Sequence, residues 1–366
     1  MPIEEIAVSV GGMTVRRLTP PPAPAVDGPR LLHLDIAPGR GMLFVQARLK
    51  LASGVETDLF ASPPLAEIAR RLDGGSGDFA GSASFSLGAA ILYPYANRIL
   101  GPWGEDRTIR AKVLGHELEL PRNWGGKAPG ARQYAMHGLI LDKAFDRLSL
   151  REEGAAAVLQ GEYDAGDFGG QWLSRSVIAI EAGMSQQALS LTVQALNTGA
   201  QTLPTGIGWH PYFAFPSRRR GQARVRIPAR ARLEVDNYDE VIPTGHILPV
   251  TGTPYDLREG GPPLGDRYFD DCFVDLERGP AGELVCEIED PAAGHGLRIS
   301  TSTPEVKGLQ LYAPPDKPYV ALEPQFNWPD PFGERWATNP DTGMALVQPG
   351  ERVCYRVVVE PYGLAP

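Results

Sequence analysis

Two histidines lie in sequence contexts that suit proton transfer. The chain has six histidines, and an isolated histidine usually has a solvated or structural role. His137 and His210 differ from the others because each interrupts an apolar, aromatic or glycine-containing segment, and His210 is held between Trp209 and Pro211. A side chain restricted in this way suits a proton donor that must meet one particular atom. The alternative for each is a structural histidine of the core.

Glu323 is the matching candidate for a general base. It follows an apolar run and precedes Pro324, so the sequence predicts a carboxylate at the end of a buried strand. Burial raises the pKa of a glutamate from about 4.3 toward neutrality, which makes it a better base. The guanidinium of Arg98 would supply a neighbouring positive charge.

Two further polar residues complete the candidate site. Asn97 offers both a donor and an acceptor, which suits the hydroxyl groups of a sugar. Asp270 offers another acceptor, and Asp271 takes its place if the local register differs by one residue.

The elements that position these residues are predicted to be antiparallel strands. Apolar and polar residues alternate with a period of two in many segments, and turn signals separate them. The 42 glycines and 35 prolines are spread along the chain, as expected for many turns. The segments in which one residue in two is apolar are residues 44–51, 189–195, 284–288, 309–311 and 355–359.

One short helix is predicted over about residues 63–72. Leu65, Ile68 and Leu72 recur at helical spacing, Pro63 suits the first helical position, and Ser62 would be the cap. The segments 20–26 and 73–84 are interpreted as loops within one domain, because strand patterning resumes after each of them.

Composition excludes several classes of protein and partner. A formal net charge of -9 gives no electrostatic footprint for nucleic acid. Residues 1–17 contain Glu4 and Glu5 and have no basic segment followed by a long apolar run, so neither a signal peptide nor a membrane span is predicted. We therefore expect a cytoplasmic protein with no membrane partner.

The three cysteines are expected to be reduced thiols. Their number is odd and no CxxC spacing occurs, which does not fit a disulfide framework. Cys286 and Cys354 lie inside alternating strands, and core packing is predicted for both.

The order of the candidate residues resembles that of the aldose 1-epimerase (galactose mutarotase-like) family. The resemblance covers residues 80–366 well and residues 1–80 weakly, and all 366 residues are interpreted as one domain. The motifs that carry it are Asn97-Arg98-Ile99, His137-Gly138, His210-Pro211-Tyr212-Phe213, Asp270 ahead of Phe273, and Glu323-Pro324-Gln325.

The resemblance implies an all-β fold, a large antiparallel β-sandwich of the supersandwich type, with a cleft for a monosaccharide. It implies that Glu323 takes the proton from the anomeric hydroxyl, that His210 protonates the ring oxygen, and that His137 assists. Arg98, Asn97 and Asp270 would bind sugar hydroxyls. No metal and no cofactor is expected, and the protein would be a monomer or a homodimer.

Four alternatives remain open at the level of sequence. A hexose 6-phosphate mutarotase would use Arg218, Arg219 and Arg220 as a phosphate clamp. A non-catalytic sugar-binding protein would use aromatic faces such as those of Trp209 or Trp328. A glycosidase would pair the carboxylates of Asp270 and Glu323. A metal site would combine both histidines with a carboxylate, although no HxH or HExxH spacing is present. Residues 137–145 also differ from the corresponding motif of galactose mutarotases, which leaves the sugar open.

Overall fold

The computed structural model describes residues 3–22, 27–73, 77–339 and 341–364, and its secondary structure is almost entirely antiparallel β-structure. The strands are β1 (Ile3–Val10), β2 (Met13–Leu18), β3 (Arg30–Ala37), β4 (Leu43–Lys50), β5 (Glu56–Asp58), β6 (Ala89–Leu92), β7 (Arg98–Ile99), β8 (Thr108–Val113), β9 (His116–Pro121), β10 (Trp124–Gly125), β11 (Gln133–Met136), β12 (Arg147–Glu153), β13 (Ala156–Gly166), β14 (Ser176–Met184), β15 (Leu189–Asn197), β16 (Leu203–Thr205), β17 (Gly208–Ala214), β18 (Arg224–Arg226), β19 (Ala229–Val235), β20 (Pro243–Pro249), β21 (Phe269–Leu276), β22 (Leu284–Asp290), β23 (His295–Thr301), β24 (Gly308–Ala313), β25 (Tyr319–Gln325), β26 (Ala345–Val347) and β27 (Arg352–Gly363).

Two large sheets form the body of the molecule. In the described part of the chain, a 12-stranded sheet has the order β1-β2-β3-β4-β6-β17-β25-β24-β21-β19-β20, with β5 paired to β4. An 8-stranded sheet has the order β12-β13-β14-β15-β27-β23-β22-β18. Apolar side chains of both sheets meet in one buried cluster, to which β3, β14, β15 and β24 all contribute. The predicted all-β antiparallel sandwich is therefore confirmed, whereas its being a single domain stays a prediction.

The predicted strands are found where the sequence alternates. In β15 every second residue from Leu189 to Asn197 is buried and the residues between them are partly exposed. The same alternation occurs in β4, β22 and β27, as expected for strands with one face on a core. In β24, by contrast, the residues from Gly308 to Leu311 are all buried, because this strand lies in the middle of the larger sheet and is covered on both faces.

The predicted helix exists, but it begins later than expected. It spans Leu65–Leu72, Pro64 precedes it, and no side chain caps its amino terminus. Pro63 is not helical because a residue that precedes proline is disfavoured in the α conformation, and the hydroxyl of Ser62 has no hydrogen-bond partner among the described residues. Ile68 and Leu72 pack into a second apolar cluster, which also contains residues of β4 and β6. The helix thus covers the outer face of the 12-stranded sheet.

One prediction about the cysteines is wrong. Cys286 is buried in the core, but Cys354 is exposed because it lies on the solvent-facing side of β27, between the buried residues Val353 and Tyr355.

The structure describes only part of each of the two predicted loops, residues 20–26 and 73–84. Residues 23–26 and 74–76 lie outside the described residues, and the described parts of both loops contain no helix and no strand apart from the single 3-10 turn that begins at Ser84. Among the described residues, no helix is both long and apolar enough to cross a membrane.

Candidate active site

A cleft of about 190 Å³ opens between the 12-stranded sheet and a small sheet of order β10-β11-β7. The structure brings all of the predicted site residues to its lining. They are Asn97, Arg98, His137, His210, Asp270 and Glu323.

The larger sheet forms one wall of the cleft through four adjacent strands, β17, β25, β24 and β21. The register of β17 and β25 pairs Gly208 with Gln325 and Tyr212 with Ala321, so His210 and Glu323 lie opposite each other. Gln310 on β24 pairs directly with Glu323. Cross-strand partners share one face of a sheet, which explains why residues far apart in sequence reach the same cleft.

The small sheet forms the opposing wall. Met136 of β11 pairs with Arg98 of β7, and the backbone N–H of His137 donates to the carbonyl of Asn97 at 2.8 Å. Asn97 and His137 both adopt a positive φ, 60° and 62°. Two strained backbone positions joined by a hydrogen bond therefore set the directions of two side chains in the cleft.

Gly138 supports this arrangement because it leaves room for a close approach. Its φ is 84°, and a Cβ atom at this position would overlap the carbonyl of Tyr93. Replacing Gly138 with alanine is expected to destabilise the protein by more than ~1 kcal/mol, because the backbone of Gly138 would have to move away from Tyr93. Thermal denaturation measures the effect. Gly154→Ala is the matched control, because Gly154 also has a positive φ of 61° but no atom lies within contact distance of a Cβ added there. Equal losses of stability in the two variants would contradict the account.

His210 and Glu323 form a buried pair of titratable side chains. Nε2 of His210 lies 3.4 Å from Oε1 of Glu323, and their side chains are only 7% and 2% exposed. Burial raises the pKa of Glu323 well above its usual value, with Asp270 adding to the effect and Arg98 opposing it. Burial also lowers the pKa of His210 to about 4. A single proton on this pair is therefore held more firmly by the carboxyl group of Glu323 than by the ring of His210.

The location of that proton differs from the expectation for an ordinary histidine and glutamate. Unperturbed side chains, with pKa values of about 6.5 and 4.3, would carry the proton on the histidine. In this structure the proton is more stable on Glu323, because burial penalises the charged form of both groups.

His137 lies against this pair with its own proton-transfer atoms available. Its ring packs edge-on against that of His210, with centroids 4.9 Å apart and planes at 76°. Neither ring nitrogen has a hydrogen-bond partner among the described residues. Burial, together with the neighbouring His210 and Arg98, lowers the pKa of His137 well below its usual value. His137 is therefore a neutral donor or acceptor aimed into the cleft.

A chain of hydrogen bonds links the other polar residues across the two walls. Arg98 donates to the side-chain oxygen of Asn97 at 2.5 Å, and Asn97 donates to Gln310 at 3.1 Å. Gln310 donates to Oδ1 of Asp270 at 2.7 Å. Burial raises the pKa of Asp270 to about 6, with Arg98 acting in the opposite direction. These contacts preorganise donors and acceptors for several hydroxyl groups.

Asp271 does not line the cleft. Its carboxylate is fully buried on the other side of β21, where it accepts hydrogen bonds from Arg232 at 3.1 Å and from the hydroxyl of Tyr238 at 2.8 Å. The alternation of side chains along a strand separates it from Asp270, which makes Asp270 the acceptor in the cleft.

The three consecutive arginines do not converge on the cleft either. Arg218 and Arg219 are exposed, and none of the three lines the cleft. The guanidinium of Arg220 is committed to backbone carbonyls, including those of Arg267 at 2.5 Å and Ala313 at 2.6 Å. Their proposed phosphate clamp is not formed.

Sequence reasoning missed the aromatic part of the lining. Trp209 packs in the core against phenylalanine rings, and Trp328 pairs with Trp336 outside the cleft. The aromatic residues that do line it are Phe85, Trp124, Tyr134, Tyr212, Tyr238, Tyr268 and Tyr312. Tyr212 belongs to one of the motifs that carry the family resemblance, and Tyr134 and Tyr268 begin the sequence segments that contain His137 and Asp270. The others come from loops and strand ends whose position depends on tertiary structure.

Within the residues that the structure describes, no group of three or more His, Cys, Asp or Glu side chains is arranged to hold a metal ion. The cleft offers instead two histidine rings, three carboxyl groups, one guanidinium, one ammonium group and several neutral hydrogen-bonding groups. This set can bind a polyhydroxylated ligand and move protons at its atoms.

Comparison with known proteins assigns the chain to a family. The sequence profile of the family described as aldose 1-epimerase matches residues 75–360. The chain belongs to the aldose 1-epimerase family. The match begins close to the point at which the sequence motifs become convincing and contains all six predicted site residues. The resemblance inferred from those motifs is thereby confirmed.

Individual relatives match the chain over less than half of its length and at moderate sequence identity. The chain is 32% identical to galactose mutarotase of Mus musculus over 173 aligned residues. These residues make up 42% of this chain and 48% of that protein. The chain is 30% identical over 175 residues to galactose mutarotase of Homo sapiens, with the same coverage of 42% and 48%. The match thus spans about half the length of these curated relatives.

Solved structures share the fold over nearly the whole chain. A galactose mutarotase-like protein of Clostridium acetobutylicum has a TM-score of 0.74 at 19% identity, covering 99% of this chain and 98% of that one. Galactose 1-epimerase of Lactobacillus acidophilus has a TM-score of 0.69 at 14% identity, with coverage of 99% and 98%. The sandwich is therefore of the galactose mutarotase-like type, as the motifs predict.

Proposed function

We propose that this protein is an aldose 1-epimerase, an isomerase that interconverts the α and β anomers of a free aldohexose. The observation that carries the proposal is the buried pair of His210 and Glu323, 3.4 Å apart in a cleft with sugar-binding groups on both walls. Polarimetry of freshly dissolved sugars tests it. A pure binding protein would gain nothing from an acid and a base placed across one ligand.

In the proposed reaction, Glu323 removes the proton of the anomeric hydroxyl. The electron pair of that O–H bond forms the C1=O1 double bond, the C1–O5 bond breaks, and O5 receives a proton from His210. Rotation about C1–C2 then presents the other face of the aldehyde, and the reverse steps close the ring. The summed reaction neither gains nor loses a proton, so no cofactor is required.

The number of protons on His210 and Glu323 suits this cycle. Opening the ring needs a carboxylate on Glu323 and a proton on His210, which is the same number of protons as in the form with a protonated Glu323 and a neutral His210. Arg98 favours the carboxylate form of Glu323. The productive arrangement therefore requires transfer of a proton within the pair and none from solvent.

The remaining residues would hold the sugar while its C1 end moves. Asn97, Arg98 and Asp270 are joined through Gln310 into one network, and such fixed groups can anchor hydroxyls that do not react. His137 would assist at O5 or O1 through its unpaired ring nitrogens.

The pH dependence of kcat/KM is expected to be bell-shaped. Activity requires one proton on the pair, so it falls at low pH when a second proton binds, near the His210 pKa of about 4. It falls at high pH when the raised pKa of Glu323 is passed and the single proton is lost. Asp270, with a pKa of about 6, adds an inflection that Asp270→Asn removes. Initial rates corrected for the buffer reaction measure the profile, and a rate independent of pH would contradict it.

A free sugar suits the cleft better than a sugar phosphate. Its lining contains three carboxyl side chains, those of Asp239, Asp270 and Glu323, against the cations Arg98 and Lys127. This balance provides no excess positive charge for a phosphate dianion, and Arg220 is occupied elsewhere.

Removal of metal ions is expected to leave the reaction unchanged, because every proposed step uses side chains of this chain. The measurement is the mutarotation rate before and after dialysis against a chelator such as EDTA. A loss of activity that added Zn²⁺ or Mn²⁺ restores would support the alternative of a two-histidine metal site.

The sequence-based expectations of a cytoplasmic location and of a monomer or homodimer remain predictions. They do not enter the mechanism, since one chain supplies every residue that the proposed reaction uses.

A further inference from the structure

Trp124 is an exposed aromatic residue inside the candidate cleft. It is 42% exposed and belongs to the lining of the cleft, whereas His210 and Glu323 of the same lining are buried. A large apolar side chain kept exposed in a concave site commonly contacts a ligand.

The Trp124 indole is fixed close to the acid/base pair. Its ring packs edge-on against that of Phe85 with centroids 5.0 Å apart, and Phe85 packs in the same way against His137 at 4.9 Å. The backbone of Trp124 pairs with Tyr134 in the small sheet, which also carries Arg98. Phe85 also contacts the ring of His210, with centroids 6.1 Å apart, so the indole is two ring contacts from His210.

Two carboxylates hold the loop that follows Trp124. Asp239 accepts hydrogen bonds from the backbone amides of Lys127 at 2.9 Å and Ala128 at 3.0 Å. Glu240 accepts one from the amide of Arg132 at 2.7 Å. These bonds join the β10–β11 loop of the small sheet to the β19–β20 turn of the 12-stranded sheet, and so connect the two walls of the cleft.

Close packing at the same contact limits how the loop can move. A Cβ atom on Gly126 would collide with the Asp239 carboxylate and with Ala131, so the backbone of the loop lies directly against the β19–β20 turn. The hydroxyl of Tyr134 also donates to the carbonyl of Glu240 at 3.1 Å.

We infer that the Trp124 indole is the platform against which the C–H face of the pyranose ring packs, and that Asp239 is the positioning residue that keeps it there. The polar network of the cleft serves the hydroxyl groups, and the apolar face of a sugar ring is matched by an aromatic face. The inference rests on the proposed sugar ligand and adds two residues to its site.

The first test measures sugar binding by titration calorimetry with galactose and glucose. Trp124→Ala is expected to raise Kd about fivefold or more for the sugar that binds, and to raise KM more than it lowers kcat. Trp103→Ala is the matched control, because Trp103 is 60% exposed and lies outside the cleft, and it should leave Kd unchanged. An unchanged Kd in Trp124→Ala would overturn the platform.

The second test is a double-mutant cycle. Asp239→Ala is expected to raise Kd in the wild-type background and to have little further effect in the Trp124→Ala background, because Asp239 acts through Trp124. Additive effects of the two substitutions would overturn the positioning role. Hydrogen exchange should also become faster at residues 126–132 in Asp239→Ala, and unchanged exchange there would overturn the role irrespective of sugar binding.

These outcomes are separable from failure of the proposed function. A wild-type protein that binds sugar through Trp124 but does not accelerate anomer exchange would refute the epimerase proposal and leave the platform intact. If the wild-type protein accelerates anomer exchange and Trp124→Ala does so equally well with unchanged Kd, the platform would be refuted and the epimerase proposal would stand.

Discussion

Glu323→Gln is expected to lower kcat for anomer interconversion by at least ~10³-fold, near the upper range for loss of a general base. The amide has the shape of the carboxyl group but cannot accept the proton of the anomeric hydroxyl. Sugar affinity should change much less, because the network of Asn97, Gln310 and Asp270 is left in place. Mutarotation rates and titration calorimetry on the same preparation measure the two quantities.

Asp290→Asn provides the matched control for this substitution. The Asp290 side chain is also buried, at 2% exposure, and accepts hydrogen bonds from the backbone and hydroxyl of Ser217, but it lies outside the cleft lining. Asp290→Asn is expected to lower the stability of the protein without lowering kcat. Full activity in Glu323→Gln would rule out Glu323 as the base.

His210→Asn is expected to lower kcat by ~10²- to 10⁴-fold, the usual contribution of a general acid. Asparagine approximates the polar shape of the ring near Nδ1 but cannot transfer a proton to O5. The acid limb of the pH profile, which begins near the His210 pKa of about 4, should disappear from the residual activity. Stopped-flow polarimetry or exchange NMR across pH 4–9 measures both effects.

His295→Asn separates this effect from the loss of any buried histidine. His295 is 4% exposed, and burial lowers its pKa to about 4 as well, yet it does not line the cleft. We expect lower thermal stability with unchanged kcat. Equal losses of kcat in the two histidine variants would mean that His210 acts through the fold and not as the acid.

Strands were predictable from sequence because their signal is local. Alternation in residues 189–195 reports burial on one face and nothing else, and β15 occupies that segment. The pairing of His210 with Glu323 was not predictable in the same way, since 113 residues separate them and only the register of β17 and β25 brings them together. Family resemblance indicated that both belong to one site, but not that their atoms lie 3.4 Å apart.

The two errors in the predicted helix and cysteine positions have identifiable physical causes. Helix periodicity correctly placed Ile68 and Leu72 in the core, but a second proline moved the start of the helix beyond Pro63. Alternation correctly placed Cys354 in a strand, but which face of β27 meets the core depends on its partners β15 and β23.

The aromatic lining was missed because its position depends on contacts between distant segments. Trp124 belongs to a two-residue strand with no periodic signal, and the loop that follows it is bound to Asp239, more than 100 residues away in the sequence. Trp209, which stands beside a predicted catalytic histidine, instead packs in the core because successive residues of β17 point to opposite faces.

The central claim is that the pair of His210 and Glu323 catalyses anomer interconversion, and polarimetry tests it most directly. Freshly dissolved α-galactose and α-glucose are each followed to equilibrium with and without the protein. The account predicts a faster approach to the same final rotation for at least one sugar, with a rate proportional to protein concentration. A rate equal to that of buffer alone for every free aldohexose would contradict it.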